Sequence, residues 1–186
     1  LLETNATYVM GVPTHAMDIL AEQRMRGIDS LGEVRTFYMA GAPIPPAVAE
    51  GFRAQGVMPQ NVYGMTENSS HQYTVPSDPD SVIIRSCGRG GPAYTVRIVD
   101  RDDPDKNVVP GEVGQIAGQG PCLMLGYFGN QEATENSFNK AGQFLSGDLG
   151  RLDKGGNLVV AGRLKDIIIR GGHNIHPTRI EDIAVA

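Results

Sequence analysis

Tryptophan is absent, aromatic side chains make up only 6% of the chain, and there are two cysteines among 186 residues. Cys87 and Cys122 sit in apolar or turn-like settings without metal-ligand spacing. That excludes a disulfide framework and a structural zinc site, and two lone thiols point to a reducing, cytoplasmic setting. No apolar run approaches the roughly 18 residues of a membrane-spanning helix. Basic residues are outnumbered, 16 Lys and Arg against 21 Asp and Glu, for a net charge of −5. Electrostatics therefore gives no reason to expect nucleic acid or an anionic membrane as partner. There is no internal repeat and no low-complexity segment.

Glycine is what the chain has in excess. The 24 glycines are about 13% of 186 residues, against a usual share near 7%. They fall between apolar segments, so they indicate turns and close backbone approaches rather than disorder. Hydrophobic residues reach 40%, enough for a buried core.

The first part reads as alternating strands and helices. Residues 7–12 form a β-rich run ended by Pro13; Thr14 is the expected helix cap, and Ala16, Ile19 and Leu20 share a helical face up to Gly27. A strand at 34–39 leads into Ala40-Gly41-Ala42-Pro43. A helix from about Pro45 puts Val48 and Phe52 on one face and stops at Gly56. A third strand, 57–63, runs into Gly64-Met65-Thr66-Glu67. This is an α/β pattern with a mostly parallel sheet, whose ligands bind in loops after the strands. From residue 75 onward short strands succeed one another, at 82–85, 95–99, 114–117 and 157–161. Turns fall at Asp102-Asp103-Pro104-Asp105, Pro110-Gly111 and Lys154-Gly155-Gly156-Asn157, and a helix capped by Asn130 is expected over 131–138. That texture predicts an antiparallel β unit, a small barrel or sandwich. Last, Ile167-Ile168-Ile169 reads as a strand stopped by Gly171-Gly172, with a helix opening at Pro177-Thr178.

Several segments carry a chemical reading beside a plain one. In Asn61-Val62-Tyr63-Gly64-Met65-Thr66-Glu67-Asn68, an aromatic ring beside glycine lets a planar base lie close to backbone. A hydroxyl and a carboxylate after Met65 suit a phosphate oxygen and its Mg²⁺; the alternative is a strand end with a capping Thr-Glu. Gly41-Ala42-Pro43 leaves room for a flat ring or an acyl chain, or is a simple strand-to-helix turn. In Ser146-Gly147-Asp148-Leu149-Gly150, an aspartate flanked by glycines can accept two ribose hydroxyls; alternatively it turns a hairpin. Arg170 reads as a solvated strand residue, and residues 100–105 as a wet, charged turn. His15, His71, His173 and His176 show no nucleophile or metal-ligand pattern.

Taken together and in order, Gly41-Ala42-Pro43, Tyr63-Gly64-Met65-Thr66-Glu67, Gly111-Glu112-Val113, Gly147-Asp148-Leu149 and Gly162-Arg163-Leu164-Lys165-Asp166 resemble the motif series of the adenylate-forming superfamily. The likeness covers nearly the whole chain. The final Gly171-Gly172-His173-Asn174-Ile175-His176-Pro177 is most similar to acyl-CoA ligases for medium-chain, aryl and alicyclic acids. Luciferases have Lys where this chain has Ile169. The resemblance implies an end of the α/β subdomain at 1–75, a β-barrel-like subdomain at 76–162, and a hinge with the start of an α+β C-terminal domain at 163–186. It implies ATP, Mg²⁺ and coenzyme A as cofactors, and a carboxylic acid as substrate. By that likeness Tyr63 stacks on adenine, and Thr66 meets the α-phosphate. Glu67 ligates Mg²⁺, making Thr66 and Glu67 the catalytic pair. Gly41, Ala42 and Pro43 border the nucleotide, Asp148 and Arg163 hold ribose or phosphate, Lys165 is the hinge, and Gly172 lines the coenzyme A tunnel. His15, Gly41, Gly64 and Met65, with Ser69, border the acyl pocket. Gly126-Tyr127-Phe128 and Gly111-Glu112-Val113 read as architecture. Two other readings stand beside the ligase: an amino-acid adenylation domain, and a non-catalytic nucleotide-binding or structural module.

The chain lacks an initiator Met and a signal peptide, and ends inside an expected amphipathic helix, so it is expected to be an internal fragment. The superfamily's phosphate loop would precede Leu1 and its catalytic lysine would come after Ala186. The 186 residues alone are therefore expected to release no pyrophosphate when incubated with ATP, Mg²⁺ and a mixture of acids. Sustained release by the purified chain would overturn that expectation.

Overall fold

The structure, a computed structural model, describes residues 1–42, 44–166, 168–170 and 173–175. These residues fall into two compact units, the first comprising Leu1–Met65 and Ser70–Gly91, the second Thr66–Ser69 and Pro92–Ala186. Among the described residues no helix is long and apolar enough to cross a membrane.

In the first unit, strand β2 (Thr36–Ala40) runs parallel to both β1 (Tyr8–Gly11) and β3 (Met58–Met65), and β4 (Ser69–Tyr73) lies beyond β3 in the order β1-β2-β3-β4. Side chains alternate across a strand, so Phe37 and Met39 of β2 point to one face and are completely buried there. Helices α1 (Pro13–Met25) and α2 (Pro46–Arg53) supply the apolar surface that joins them in one core: Ala16 and Leu20 from α1, Val48, Ala49 and Phe52 from α2. These residues recur every three or four positions, one face of a helix. The rings of Phe37 and Phe52 lie 5.0 Å apart at a tilt of 37°.

The helix boundaries are set by proline and glycine. Helix α1 starts at Pro13, and Val12 precedes it without a side-chain cap, so Thr14 is not the cap expected from sequence. Proline at the first helical position costs no hydrogen bond, because that N–H has no partner within the helix anyway. Beyond the helix ends, Gly27 and Gly56 adopt φ values of +62° and +77°, the left-handed geometry that closes helices and that glycine takes without strain.

Two segments differ from the sequence reading in the same unit. Residues 82–85 are helical rather than extended, within α3 (Asp80–Arg85), with Pro79 before it and Ile83 buried. The β preference of Val82, Ile83 and Ile84 amounts to only about 1 kcal/mol across the whole scale and yields to tertiary packing. Strand β4 is not among the expected strands, because Ser69-Ser70-His71-Gln72 shows no hydrophobic alternation. It is nonetheless half-buried, with His71 and Gln72 inside. Just beyond its end, Asn61 and Thr74 exchange backbone and hydroxyl hydrogen bonds of 3.0 Å.

The second unit carries β5 (Thr95–Val99), β6 (Gly114–Gln119), β7 (Phe144–Leu152) and β8 (Leu158–Arg163), each antiparallel to the next. Ile98, Val99, Ile116, Ala117, Phe144, Leu149 and Leu158 are buried. Among the described residues the expected barrel does not form: the sheet has four strands in the linear order β5-β6-β7-β8. Closure requires tilted, staggered strands around a filled interior, typically about eight for a barrel packed with side chains. Helix α4 (Gln131–Glu135) begins as expected, the Asn130 side chain accepting the Ala133 N–H at 3.0 Å. It ends earlier than expected, and Phe138 bridges to Phe144 instead. The charged segment at 100–105 is a turn: Asp100 Oδ1 accepts the N–H groups of Asp102 and Asp103, which hold its carboxyl below the usual range. After β8 a short 3-10 turn (Leu164–Asp166) leads to β9 (Ile168–Arg170), antiparallel to β10 (His173–Ile175). The helix expected from Pro177 lies outside the described residues.

Phe37 is central to this packing, between strand and helices. Phe37→Ala is expected to lower the stability of the first unit by about 3–5 kcal/mol. Chemical denaturation of the variant beside the unsubstituted chain measures it.

Candidate functional site

Parallel strands end together, so the segments that leave their carboxyl ends share one side of the sheet. Gly11 of β1 pairs with Met39, and Ala40 of β2 pairs with Val62. The residues after these positions are the expected ones: His15 on α1, Gly41 and Ala42 after β2, and Tyr63, Gly64 and Met65 at the end of β3. Ligands of open α/β sheets bind outside the carboxyl ends of such strands. Gly41 has φ +88°, and it, Ala42 and His15 are exposed. Pro43 lies outside the described residues.

Tyr63 is buried at 8% exposure, and its ring stands edge-on to His71 of β4 at 5.4 Å and 90°. Burial pushes the His71 imidazole down to about 4. The neutral ring can sit against the tyrosine, whereas a charged one would lose its hydration there. Gly88 and Gly90 pass close to the backbone of this strand. Each has a positive φ, and a Cβ at these positions would come within 2.1 and 2.0 Å of the carbonyl oxygens of Tyr73 and His71. Neither glycine stands out in the sequence; a close backbone approach leaves no mark beyond the glycines themselves.

The chain enters the second unit at Thr66. Thr66 is exposed, Glu67 is half-buried and Asn68 is buried, and Ser69 then turns the chain with φ +58°. A non-glycine residue there is uncommon and marks a constrained turn. Three contacts constrain it. The Glu67 carbonyl accepts the Met124 N–H at 2.7 Å. Its Oε1 accepts the Tyr127 hydroxyl at 3.0 Å. The Asn68 side chain hydrogen-bonds Tyr94, whose ring closes over Gly118 and Gly120. Sequence alone assigns Tyr127 to architecture; the structure puts its hydroxyl on the candidate metal ligand. Partial desolvation and, after it, Glu67 push the Tyr127 hydroxyl up, so it is a neutral donor near pH 7.

Asp148 lies within β7 rather than at a hairpin turn, with its backbone opposite Arg163 at the end of β8. Arg163 Nε is 3.5 Å from Asp148 Oδ1. The aspartate side chain is 13% exposed and the arginine 74%, so the pair is well screened on one side and contributes little stability. Gly147 has φ +75°, and the Ser146 hydroxyl accepts the Asp148 N–H while donating to the Ile116 carbonyl. Lys165 is exposed in the 3-10 turn. Gly172 lies outside the described residues.

The donor set around Glu67 is all oxygen. Among the described residues no cluster of three or more His, Cys, Asp or Glu could hold a metal by itself. A lone carboxylate with one oxygen left to give fits Mg²⁺, which keeps several waters and is bound through one or two carboxylates plus substrate phosphates.

Comparison with known proteins gives the same direction. A family model described as AMP-binding enzyme matches residues 1–128. The medium-chain fatty-acid–CoA ligase of Escherichia coli K12 is 34% identical over 183 residues, covering 98% of this chain and 32% of that protein. Feruloyl-CoA synthase of an Amycolatopsis species is 36% identical over 180 residues, covering 97% of this chain and 36% of that one. Among solved structures, O-succinylbenzoate coenzyme A synthetase of Bacillus subtilis in complex with ATP and magnesium ion superposes with a TM-score of 0.85 at 31% identity, covering 98% of this chain and 37% of that one. The chain spans about a third of the length of these curated relatives.

The buried His71 makes stability depend on pH. Its ordinary value is 6.5 and burial lowers it to about 4 in the folded chain. Below pH 6.5 the unfolded chain takes up a proton that the folded one refuses. The stabilisation is therefore complete above about pH 6.5 and is lost as pH falls towards 4. His71→Gln is expected to flatten this limb by up to about 3 kcal/mol, read as the difference between the two proteins in denaturation midpoints from about pH 7 to about pH 4.

Proposed function

Because the chain belongs to the AMP-binding enzyme family, whose model covers residues 1–128, we propose that it is part of an ATP-dependent acid–CoA ligase. The enzyme joins a carboxylic acid to coenzyme A in two halves. The acid's carboxylate attacks the α-phosphorus of ATP, forming acyl-AMP and releasing pyrophosphate. The thiolate of coenzyme A then attacks the acyl carbon, and AMP leaves. The observation that carries this reading is the turn at Thr66 and Glu67. An exposed hydroxyl stands beside a carboxylate fixed through both its backbone and one of its oxygens.

In this reading Thr66 donates to the α-phosphate, and Glu67 holds Mg²⁺. When bound, the ion neutralises phosphate charge and orients the nucleotide. Tyr63 stacks on the adenine, and Gly41, Ala42 and Pro43 border the nucleotide. Asp148 accepts the ribose hydroxyls, and Arg163, already beside it, adds a donor to ribose or phosphate. Such sites act by positioning and by fixed charges more than by covalent steps. His15, Gly41, Gly64 and Met65 border an apolar acid of moderate size. Lys165 is the pivot between the subdomain ending near 162 and the domain that begins at 163, and Gly172 lines the coenzyme A path. The relatives named above are coenzyme A ligases or synthases, so the amino-acid adenylation reading draws no support from them. We assign the enzyme to the cytoplasm on its two lone thiols, Cys87 and Cys122, which form no disulfide.

In the intact enzyme Glu67→Gln keeps the side chain's shape and removes the charge that binds a hard cation. It is expected to lower kcat for adenylation by about 100-fold. Asp148→Ala is expected to raise the KM for ATP by about tenfold with little change in kcat, because ribose contacts are alike in ground and transition states. Acid-dependent pyrophosphate release measures both. The same pure kcat defect in both variants would overturn the role assignment.

A further inference from the structure

Tyr127 lies 60 residues from Glu67 in sequence, and its hydroxyl donates to Glu67 Oε1 at 3.0 Å. We propose that Tyr127 is a positioning residue for Glu67, holding one carboxylate oxygen so that the other is presented to the divalent cation of the bound nucleotide. This rests on the reading of Glu67 as the Mg²⁺ ligand. A free glutamate side chain samples several rotamers, and fixing them at the moment of binding costs conformational entropy. A contact that fixes the carboxylate beforehand removes part of that cost.

The contact is built, not incidental. Gly126 has φ +153°, and a Cβ there would meet Thr134 Cγ2 at 2.7 Å, so only glycine lets the chain pass α4 this closely. One residue on, the Tyr127 N–H donates to Thr134 Oγ1 at 2.9 Å, and Thr134 in turn donates to the Asn130 carbonyl at 2.9 Å. Asn130 is the cap of α4 and donates its N–H to the Tyr127 carbonyl at 3.2 Å. The backbone of Tyr127 is thus tied to the start of a helix, and its hydroxyl to Glu67. The Met124 N–H holds the Glu67 carbonyl from the same loop. Apolar burial does not place this loop, since Leu125 and Phe128 on either side are fully exposed. The donor type also fits the role. A carboxylate has about four lone-pair sites, so a neutral phenol occupies one and leaves the negative charge intact. A lysine or arginine in place of Tyr127 would neutralise that charge and compete with the cation.

The test uses the intact enzyme, Tyr127→Phe, Glu67→Gln and the double variant. Two readouts are taken: the Mg²⁺ concentration that half-saturates ATP–pyrophosphate exchange, and the affinity of Mn²⁺ for the enzyme–ATP complex by water-proton relaxation. Tyr127→Phe is expected to raise the first and weaken the second by about tenfold, the order of one hydrogen bond to a charged group. The exchange rate at saturating Mg²⁺ is expected to stay within about twofold. In the Glu67→Gln background the same substitution is expected to change neither, because the two residues act as a pair. Thr134→Val, which loosens Tyr127 while keeping both side chains, is expected to shift both readouts in the same direction. Unchanged metal affinity in Tyr127→Phe, or an equal shift in the Glu67→Gln background, overturns the proposal while normal exchange leaves the ligase reading standing. Tyr127-dependent Mn²⁺–ATP binding without activation of any acid does the reverse. A wild-type enzyme whose complex with ATP binds no Mn²⁺ overturns both.

Discussion

The carbonyl and the carboxylate of Glu67 are held by one short loop, through the Met124 N–H and the Tyr127 hydroxyl. The neighbouring features answer the need to hold that turn. Ser69 accepts a left-handed φ to bring the chain back into β4. Asn68 is buried and bonded to Tyr94. Tyr94 in turn needs Gly118 and Gly120, since a Cβ at either would come within 2.4 Å of its ring. A single charged side chain at a turn would otherwise be free to rotate, and the contacts to Met124 and Tyr127 fix it in place.

The same use of small residues runs through the first unit. Gly88 and Gly90 pass the backbone of β4 at distances that no Cβ could share, and so keep His71 and Tyr63 in place. The imidazole stays neutral because it has lost its water, which makes the ring a good neighbour for Tyr63 and a poor one at acid pH. Asp148 and Arg163 show the opposite choice. They pair between neighbouring strands with the arginine in solvent, so their ion pair contributes little stability.

The order of motifs is legible because each consists of residues whose backbone or chemistry is special wherever it occurs. The glycines and prolines that bound α1 and α2, and the alternation of β2 around Phe37 and Met39, are legible for the same local reason. Strand β4 is not, because its polar residues are buried by tertiary contact and not by pattern. Residues 82–85 read as strand, since branched side chains favour extended backbone. Pro79 and the burial of Ile83 overrule that preference. The barrel fails on geometry: a run of short strands specifies antiparallel pairing but not closure.

Tyr127 marks the division most sharply. Its sequence neighbourhood, Gly126 before and Phe128 after, specifies a turn, and Gly126 is there because Thr134 leaves no room for a side chain. Nothing local says where the hydroxyl points. That depends on a contact across 60 residues, formed when the loop before α4 folds against the turn at Thr66–Ser69. Local chemistry is written in the chain as residue type and spacing. A hydrogen bond between distant residues exists only once packing has brought its donor and acceptor together.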